Sequence, residues 1–123
     1  MEYEVKYDEM IKWDAGTYLL VDMRDEMSVS YGMIPGAVNI SSGELETGNA
    51  ELPSDKKIVV YCMKGILSVD TAAQLREKGF EAYSLSDGYY SYLSYKMKED
   101  MKRENERKEA NPDSHVCKHI YYA

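Results

Sequence analysis

The run Ile58-Val59-Val60-Tyr61 constrains this chain more than any other stretch. Three successive β-branched residues fit a pleated strand and are poorly suited to a helix. A loop, Cys62 to Leu67, follows directly, and a helical pattern opens at Ser68. In that pattern Val69, Ala72, Ala73 and Leu75 share one broad face to about Lys78, and Gly79 supplies the stop. Other segments repeat the theme. Tyr18-Leu19-Leu20-Val21 reads as a buried strand closed by Asp22, Ala37 to Ile40 as a brief strand after the Ile34-Pro35-Gly36 turn, and Glu81 to Leu85 as another. Val5 to Tyr7 reads as a short strand, with Asp8 as the N-cap of a helix reaching about Trp13. Asp25 to Tyr31 reads as a short helix or turn, and residues 41–57 mostly as loop. Asp87-Gly88 reads as a turn, and from Tyr90 to about Glu109 the chain reads as helix. Glu99 with Arg103 and Glu104 with Lys108 support that last helix at (i, i+4) spacing, and Asn111-Pro112 ends it.

Strands separated by helices imply an α/β fold with a central, mainly parallel sheet flanked by helices on both faces. A length of 123 residues suits one such domain. The organisation expected is a folded domain over 1–95, a charged helical extension over 96–110 and a C-terminal tail over 111–123. No run is long and apolar enough for a membrane span. The acidic start, with Glu2, Glu4, Asp8 and Glu9, lacks a signal-peptide pattern, so the expected compartment is the cytoplasm. A net charge of −7 argues against nucleic acid or an anionic membrane as partner. Two cysteines, Cys62 and Cys117, make no disulfide framework.

Chemistry is expected at the carboxyl ends of parallel strands. There the loop Cys62-Met63-Lys64-Gly65-Ile66-Leu67 leads into a helix whose first N–H groups point inward and favour negative charge. A cysteine at the start of such a loop has its thiolate stabilised and its pKa lowered. Gly65 keeps the cradle open, and Lys64 adds a local positive charge. The alternative at this stage is a buried cysteine acting as a small hydrophobe.

The segment Ile58-Val-Val-Tyr-Cys62-x-x-Gly65-x-x-Ser68, with Ala72-Ala73-x-Leu75 and Gly79-Phe80, resembles the active-site segment of rhodanese-like domains. Leu20-Val-Asp22-Met-Arg24-Asp25, Gly32-Met-Ile34-Pro35-Gly36-Ala37-Val-Asn39-Ile40 and Leu85-Ser-Asp87-Gly88-Tyr89 resemble further signatures of that family in the same order. The resemblance implies a rhodanese-type sulfurtransferase with Cys62 as nucleophile, carrying a sulfane sulfur as a persulfide. The donor would be thiosulfate or a persulfide, and the thiophilic acceptor a small molecule or a protein thiol. It implies no cofactor and no metal. Met63, Lys64, Gly65, Ile66, Leu67 and Ser68 would bind substrate, Lys64 by neutralising a sulfonate. Arg24 would support the site or form a structural salt bridge, and Asp22 and Asn39 would organise loops.

The chain departs from the family pattern at Leu67, where many active loops carry arginine, at Met33, where histidine is frequent, and at Ser86-Asp87-Gly88, which replaces a double glycine. Asp70 adds a negative charge to the first helical turn. The phosphatase relatives of this fold need a longer loop closed by an arginine; here the residue six after Cys62 is Ser68. The alternative from another class is a non-catalytic rhodanese-like module that binds or regulates a partner. In the tail, His115, Cys117 and His119 alternate, which fits a metal site, a resolving thiol or simple packing.

Overall fold

A computed structural model of the chain describes residues 3–48 and 51–110, with side chains through 106. The expectations for His115, Cys117 and His119 lie outside the described residues. The chain divides into two compact units, the first ending at Leu93 and the second beginning at Ser94.

The first unit is built on five parallel strands. They are β1 (Glu4–Val5), β2 (Tyr18–Asp22), β3 (Val38–Asn39), β4 (Lys57–Tyr61) and β5 (Ala82–Leu85), in the spatial order β1-β5-β4-β2-β3. Strand β4 is central, paired with β2 from Tyr18↔Lys57 to Asp22↔Tyr61 and with β5 from Ile58↔Ala82 to Val60↔Ser84. Its Ile58, Val59, Val60 and Tyr61 are all buried, as a strand covered on both faces must be.

The helices are α1 (Tyr7–Met10), α2 (Glu26–Ser30), α3 (Ser42–Thr47), α4 (Leu67–Glu77) and α5 (Gly88–Ala110), and the cover comes from α1, α3, α4 and the opening turns of α5. On one face Val21, Ile58, Val60 and Cys62 pack with Leu45 of α3 and with Ala72 and Leu75 of α4. On the other, Leu20, Val59, Tyr61 and Leu85 pack with Met10 of α1 and with Tyr89 and Tyr92 of α5. The doubly covered parallel sheet expected from the strand–helix alternation is therefore present.

Three local expectations need correction. Residues 41–57, expected to be mostly loop, also contain α3 over Ser42–Thr47. The Ser41 side chain accepts from the Glu44 N–H at its start, Leu45 is buried, and Gly48 ends it in the left-handed conformation. Second, α1 begins at Tyr7, two residues before an Asp8 cap would place it. Lys6 is the boundary residue, its carbonyl accepting from Glu9 and Met10, and the helix stops at Met10 instead of Trp13. Third, the turn falls on Ser86 and Asp87, the latter at φ 61°, and Gly88 already opens α5.

In the second unit the chain from Ser94 to Ala110 is helical, with Met97 and Met101 exposed. Among the described residues no helix is long and apolar enough to cross a membrane.

Candidate active site

Cys62 is the first residue past β4, where the chain leaves the sheet beside β2. Chain order reverses there, since β3 continues beyond β2 on one side and β5 lies beyond β4 on the other. Ligands of open parallel sheets bind at such a point.

The loop from Cys62 to Ile66 is fixed from behind. Tyr89 N–H donates to the Cys62 carbonyl at 2.9 Å and Tyr90 N–H to the Met63 carbonyl at 3.3 Å. The opening N–H groups of α5, which have no partner within their own helix, thus consume the loop's carbonyls. Gly65 and Gly88 make this contact close enough. Gly65 has φ +83°, and a Cβ there would lie 2.7 Å from the Asp87 nitrogen and 3.0 Å from the Leu85 carbonyl oxygen. Gly88 has φ +52°, and a Cβ there would collide with the Cys62 carbonyl oxygen. Only glycine fits either position.

With the loop carbonyls turned to α5, the loop's N–H groups are left for the sulfur. Gly65 N–H donates to Cys62 Sγ at 3.2 Å, and Ser68 Oγ lies 3.5 Å from it. No side chain caps α4, whose boundary residue is Ile66. The sulfur occupies that place, receiving the backbone N–H groups of Ser68 and Leu67. Burial pushes the Cys62 thiol up, but the Ser68 hydroxyl and the N–H groups of Ser68, Gly65 and Leu67 outweigh it and hold the thiol below its ordinary pKa. The thiolate form is thereby favoured by dipoles, and among the described residues no cation hydrogen-bonds the sulfur.

The structure thus brings Cys62, Gly65, Leu67 and Ser68 together at the sulfur. Lys64, Ile66 and Leu67 project outward with exposed side chains, and Ile66 and Leu67 are 69% and 67% exposed. Met63 is half-buried and anchors the loop through its carbonyl. Asp70 is exposed on the first turn of α4.

Arg24 has a different position. Successive residues of a strand face opposite ways, and Tyr61 belongs to the α1/α5 side while Cys62 belongs to the α3/α4 side. The Arg24 guanidinium is on the Tyr61 side. Its Nε and Nη2 donate to the Asp22 carboxylate at 2.8–3.1 Å, its Nη2 also donates to the Gly32 carbonyl, and its plane lies 4.1 Å from the Tyr89 ring centroid. Of the two roles the sequence left open for Arg24, the structural salt bridge, to Asp22, is present. Asp22 also accepts from Tyr61 Oη at 2.7 Å. Asn39 donates to the carbonyls of Asp22 and Arg24 at 2.8 and 3.1 Å, tying β3 to the end of β2.

Two participants were not legible in the sequence. Tyr61 Oη accepts from Ile34 N–H at 3.1 Å while donating to Asp22, and Ser84 Oγ lies 2.7 Å from Ser68 Oγ. Both depend on partners distant in sequence. Among the described residues, no group of three or more His, Cys, Asp or Glu side chains is arranged to hold a metal ion.

Comparison with known proteins agrees with this geometry. Residues 6–95 match the rhodanese-like domain family. The chain is 36% identical over 86 residues to a tRNA sulfurtransferase of Desulfurococcus amylolyticus, covering 70% of this chain and 17% of that protein. Among solved structures it is similar to reduced CoADR-RHD of Bacillus anthracis, with TM-score 0.67, 30% identity, 73% of this chain and 16% of that chain. It is also similar to the human single-domain sulfurtransferase TSTD1, with TM-score 0.66, 26% identity, 74% of this chain and 95% of that chain. The chain therefore spans less than a fifth of two of these relatives and nearly all of the third. With its parallel sheet, its cysteine loop and this match over residues 6–95, the chain belongs to the rhodanese-like domain family.

Proposed function

We propose that this chain is a sulfurtransferase in which Cys62 carries a sulfane sulfur between a donor and a thiophilic acceptor. The observation that carries the reading is the sulfur's setting: Gly65 N–H at 3.2 Å, Ser68 Oγ at 3.5 Å, and a thiol held below its ordinary pKa. A thiolate is the nucleophile in sulfur chemistry, and the lowered pKa favours its formation.

In the first step the Cys62 thiolate attacks the outer sulfur of the donor. The donor's S–S bond breaks, and its electron pair leaves as sulfite from thiosulfate or as a thiolate from a persulfide. Cys62 is left as the persulfide anion. In the second step an acceptor thiolate attacks the outer sulfur, the Cys62 S–S bond breaks, and the thiolate returns. Charge balances in each step, and no net oxidation occurs.

Lys64 is the positive side chain of the loop, and it stands exposed where an anionic donor would approach. Beside the loop, a groove of about 180 Å³ is lined in part by Met23, Glu46, Leu67 and Asp70. Its carboxylates disfavour a dianion. The exposed Ile66 and Leu67 favour a donor or acceptor with apolar surface, including a protein thiol.

The test is turnover, measured as sulfite released from thiosulfate and as acceptor persulfide formed from a persulfide donor. Both should require Cys62 and survive Cys117→Ser. Product formation by Cys62→Ser at the parent rate would overturn the reading.

A further inference from the structure

Ser84 is an unusual residue for the interior of a central sheet. It lies within β5, is 1% exposed, and belongs to a type that favours turns over strands. A buried hydroxyl must find a partner or cost stability, and its partner is Ser68 Oγ, 2.7 Å away and fully buried. Ser68 Oγ in turn lies 3.5 Å from Cys62 Sγ. The three atoms form a chain from β5, through the first turn of α4, to the loop.

A hydroxyl has one proton to donate and two lone pairs to accept with. A thiolate only accepts, so beside it Ser68 must give its proton to the sulfur. The Ser68 oxygen is then free to accept, and Ser84 is the neighbour able to donate. Beside a neutral thiol the order can reverse, with S–H donating to Ser68 and Ser68 donating to Ser84. Either direction suits the observed Ser68–Ser84 geometry, in which either oxygen can be the donor.

We propose that Ser84 is a positioning residue for Cys62, which by donating to Ser68 Oγ turns the Ser68 hydroxyl onto the sulfur and strengthens that bond. A hydroxyl that accepts a hydrogen bond becomes a better donor. The effect is largest when charge sits on Sγ, which happens in the free thiolate and again as the acceptor pulls the outer sulfur away. When the persulfide is loaded, charge moves to the outer sulfur and the demand on the hydroxyl pair falls. The inference rests on Cys62 being the nucleophile, but its geometry does not depend on which donor or acceptor is used.

The charged groups on the surrounding elements are Lys64 in the loop, Asp70 on α4, Asp87 between β5 and α5, Glu44 and Glu46 on α3, and the Asp22–Arg24 pair at β2. Among the described residues none of them hydrogen-bonds the sulfur, whose bonds go to Gly65 and Ser68 and to the N–H of Leu67. The hydroxyl pair is therefore the part of the setting that a single substitution can switch off without moving a charge.

The experiment is the pH dependence of Cys62 alkylation by iodoacetamide in the full chain carrying Cys117→Ser, for the parent, Ser84→Ala, Ser84→Thr and Ser68→Ala. Ser84→Ala should move the midpoint to higher pH and slow alkylation below it by about three- to tenfold, less than Ser68→Ala does. Ser84→Thr, which keeps the hydroxyl, should follow the parent. In the parent, NMR resonances of Ser84 should titrate with the Cys62 midpoint, a readout that needs no substitution. A Ser84→Ala profile that superimposes on the parent's, a Ser84→Thr profile that follows Ser84→Ala, or Ser84 resonances that stay flat would overturn the proposal. Alkylation reads ionisation whether or not sulfur is transferred. Failure of the parent to load sulfur would therefore remove the transferase reading and leave the Ser84 result standing.

Discussion

Tyr61 and Cys62 are neighbours in the chain, yet they serve two polar clusters of opposite character. On the Tyr61 side, the Asp22 carboxylate takes hydrogen bonds from Arg24 and Tyr61, Arg24 also reaches Gly32, and Tyr89 covers the guanidinium. Each partner's charge or hydroxyl is spent on another protein group. On the Cys62 side, donors converge on one sulfur to which, among the described residues, no charged side chain hydrogen-bonds. Removing Asp22 and Arg24 from water is compensated by their mutual pairing together with the bonds to Tyr61 and Gly32. The Cys62 thiolate is stabilised by dipoles that remain in place while its charge comes and goes. The first arrangement locks the end of the sheet, and the second holds a thiol below its ordinary pKa.

This contrast gives predictions for each side, and the largest effect belongs to the sulfur. Cys62→Ser should abolish sulfur loading while the thermal unfolding midpoint stays near the parent's. A large loss of stability without loss of loading would reverse the assignment of the two sides.

Next is the ion pair. Arg24→Met leaves Asp22 buried without its partner and should destabilise the fold by about 3–5 kcal/mol in denaturant titration. Loading per folded molecule should persist. Selective loss of loading with unchanged stability would return Arg24 to the substrate site.

Gly65→Ala joins the clusters' common support, since it forces a Cβ against the Asp87 nitrogen at a φ of +83°. The strained backbone should cost about 1–3 kcal/mol, and loading should fall further than the stability loss explains. Equal activity at equal folded fraction would show that the loop tolerates displacement.

The smallest effect is that of Ser68→Ala, which removes one donor of several. Because folding lowers the Cys62 pKa, the thiolate adds stability above the unfolded thiol's value, and that stability is lost as pH falls through the folded value. Reactivity falls as pH drops through the same folded value. Ser68→Ala should move that value to higher pH and reduce thiolate reactivity near neutrality by about tenfold, read from alkylation rates. An unchanged value would mean that the backbone N–H groups alone set the ionisation.

How far each cluster was legible in the sequence follows from the range of its interactions. The cradle is local: Cys62, Gly65 and Ser68 lie within one loop and the helix it opens, so the loop pattern together with the family resemblance singled them out. The salt bridge is also local, from Asp22 to Arg24, but the sequence could not show which face of the sheet it occupied. That follows from Cys62 and Tyr61 pointing opposite ways at the end of β4. The bonds of Tyr61 Oη to Asp22 and Ile34, and of Ser84 Oγ to Ser68, join residues brought together only by the strand order. Helix α3 was hidden for a different reason. It buries only Leu45 among polar residues, so its periodic signal is weak, although Ser41 and Gly48 mark its ends.

The central claim is that Cys62 is the atom that carries sulfur. The most direct measurement is the intact mass of the reduced, thiol-free chain after brief exposure to a persulfide donor or thiosulfate, with the modified residue mapped after alkylation. The account predicts a gain of one sulfur atom, reversed by reductant, on Cys62, unchanged in Cys117→Ser and absent in Cys62→Ser. No gain from either donor, or a gain that persists in Cys62→Ser, would contradict it.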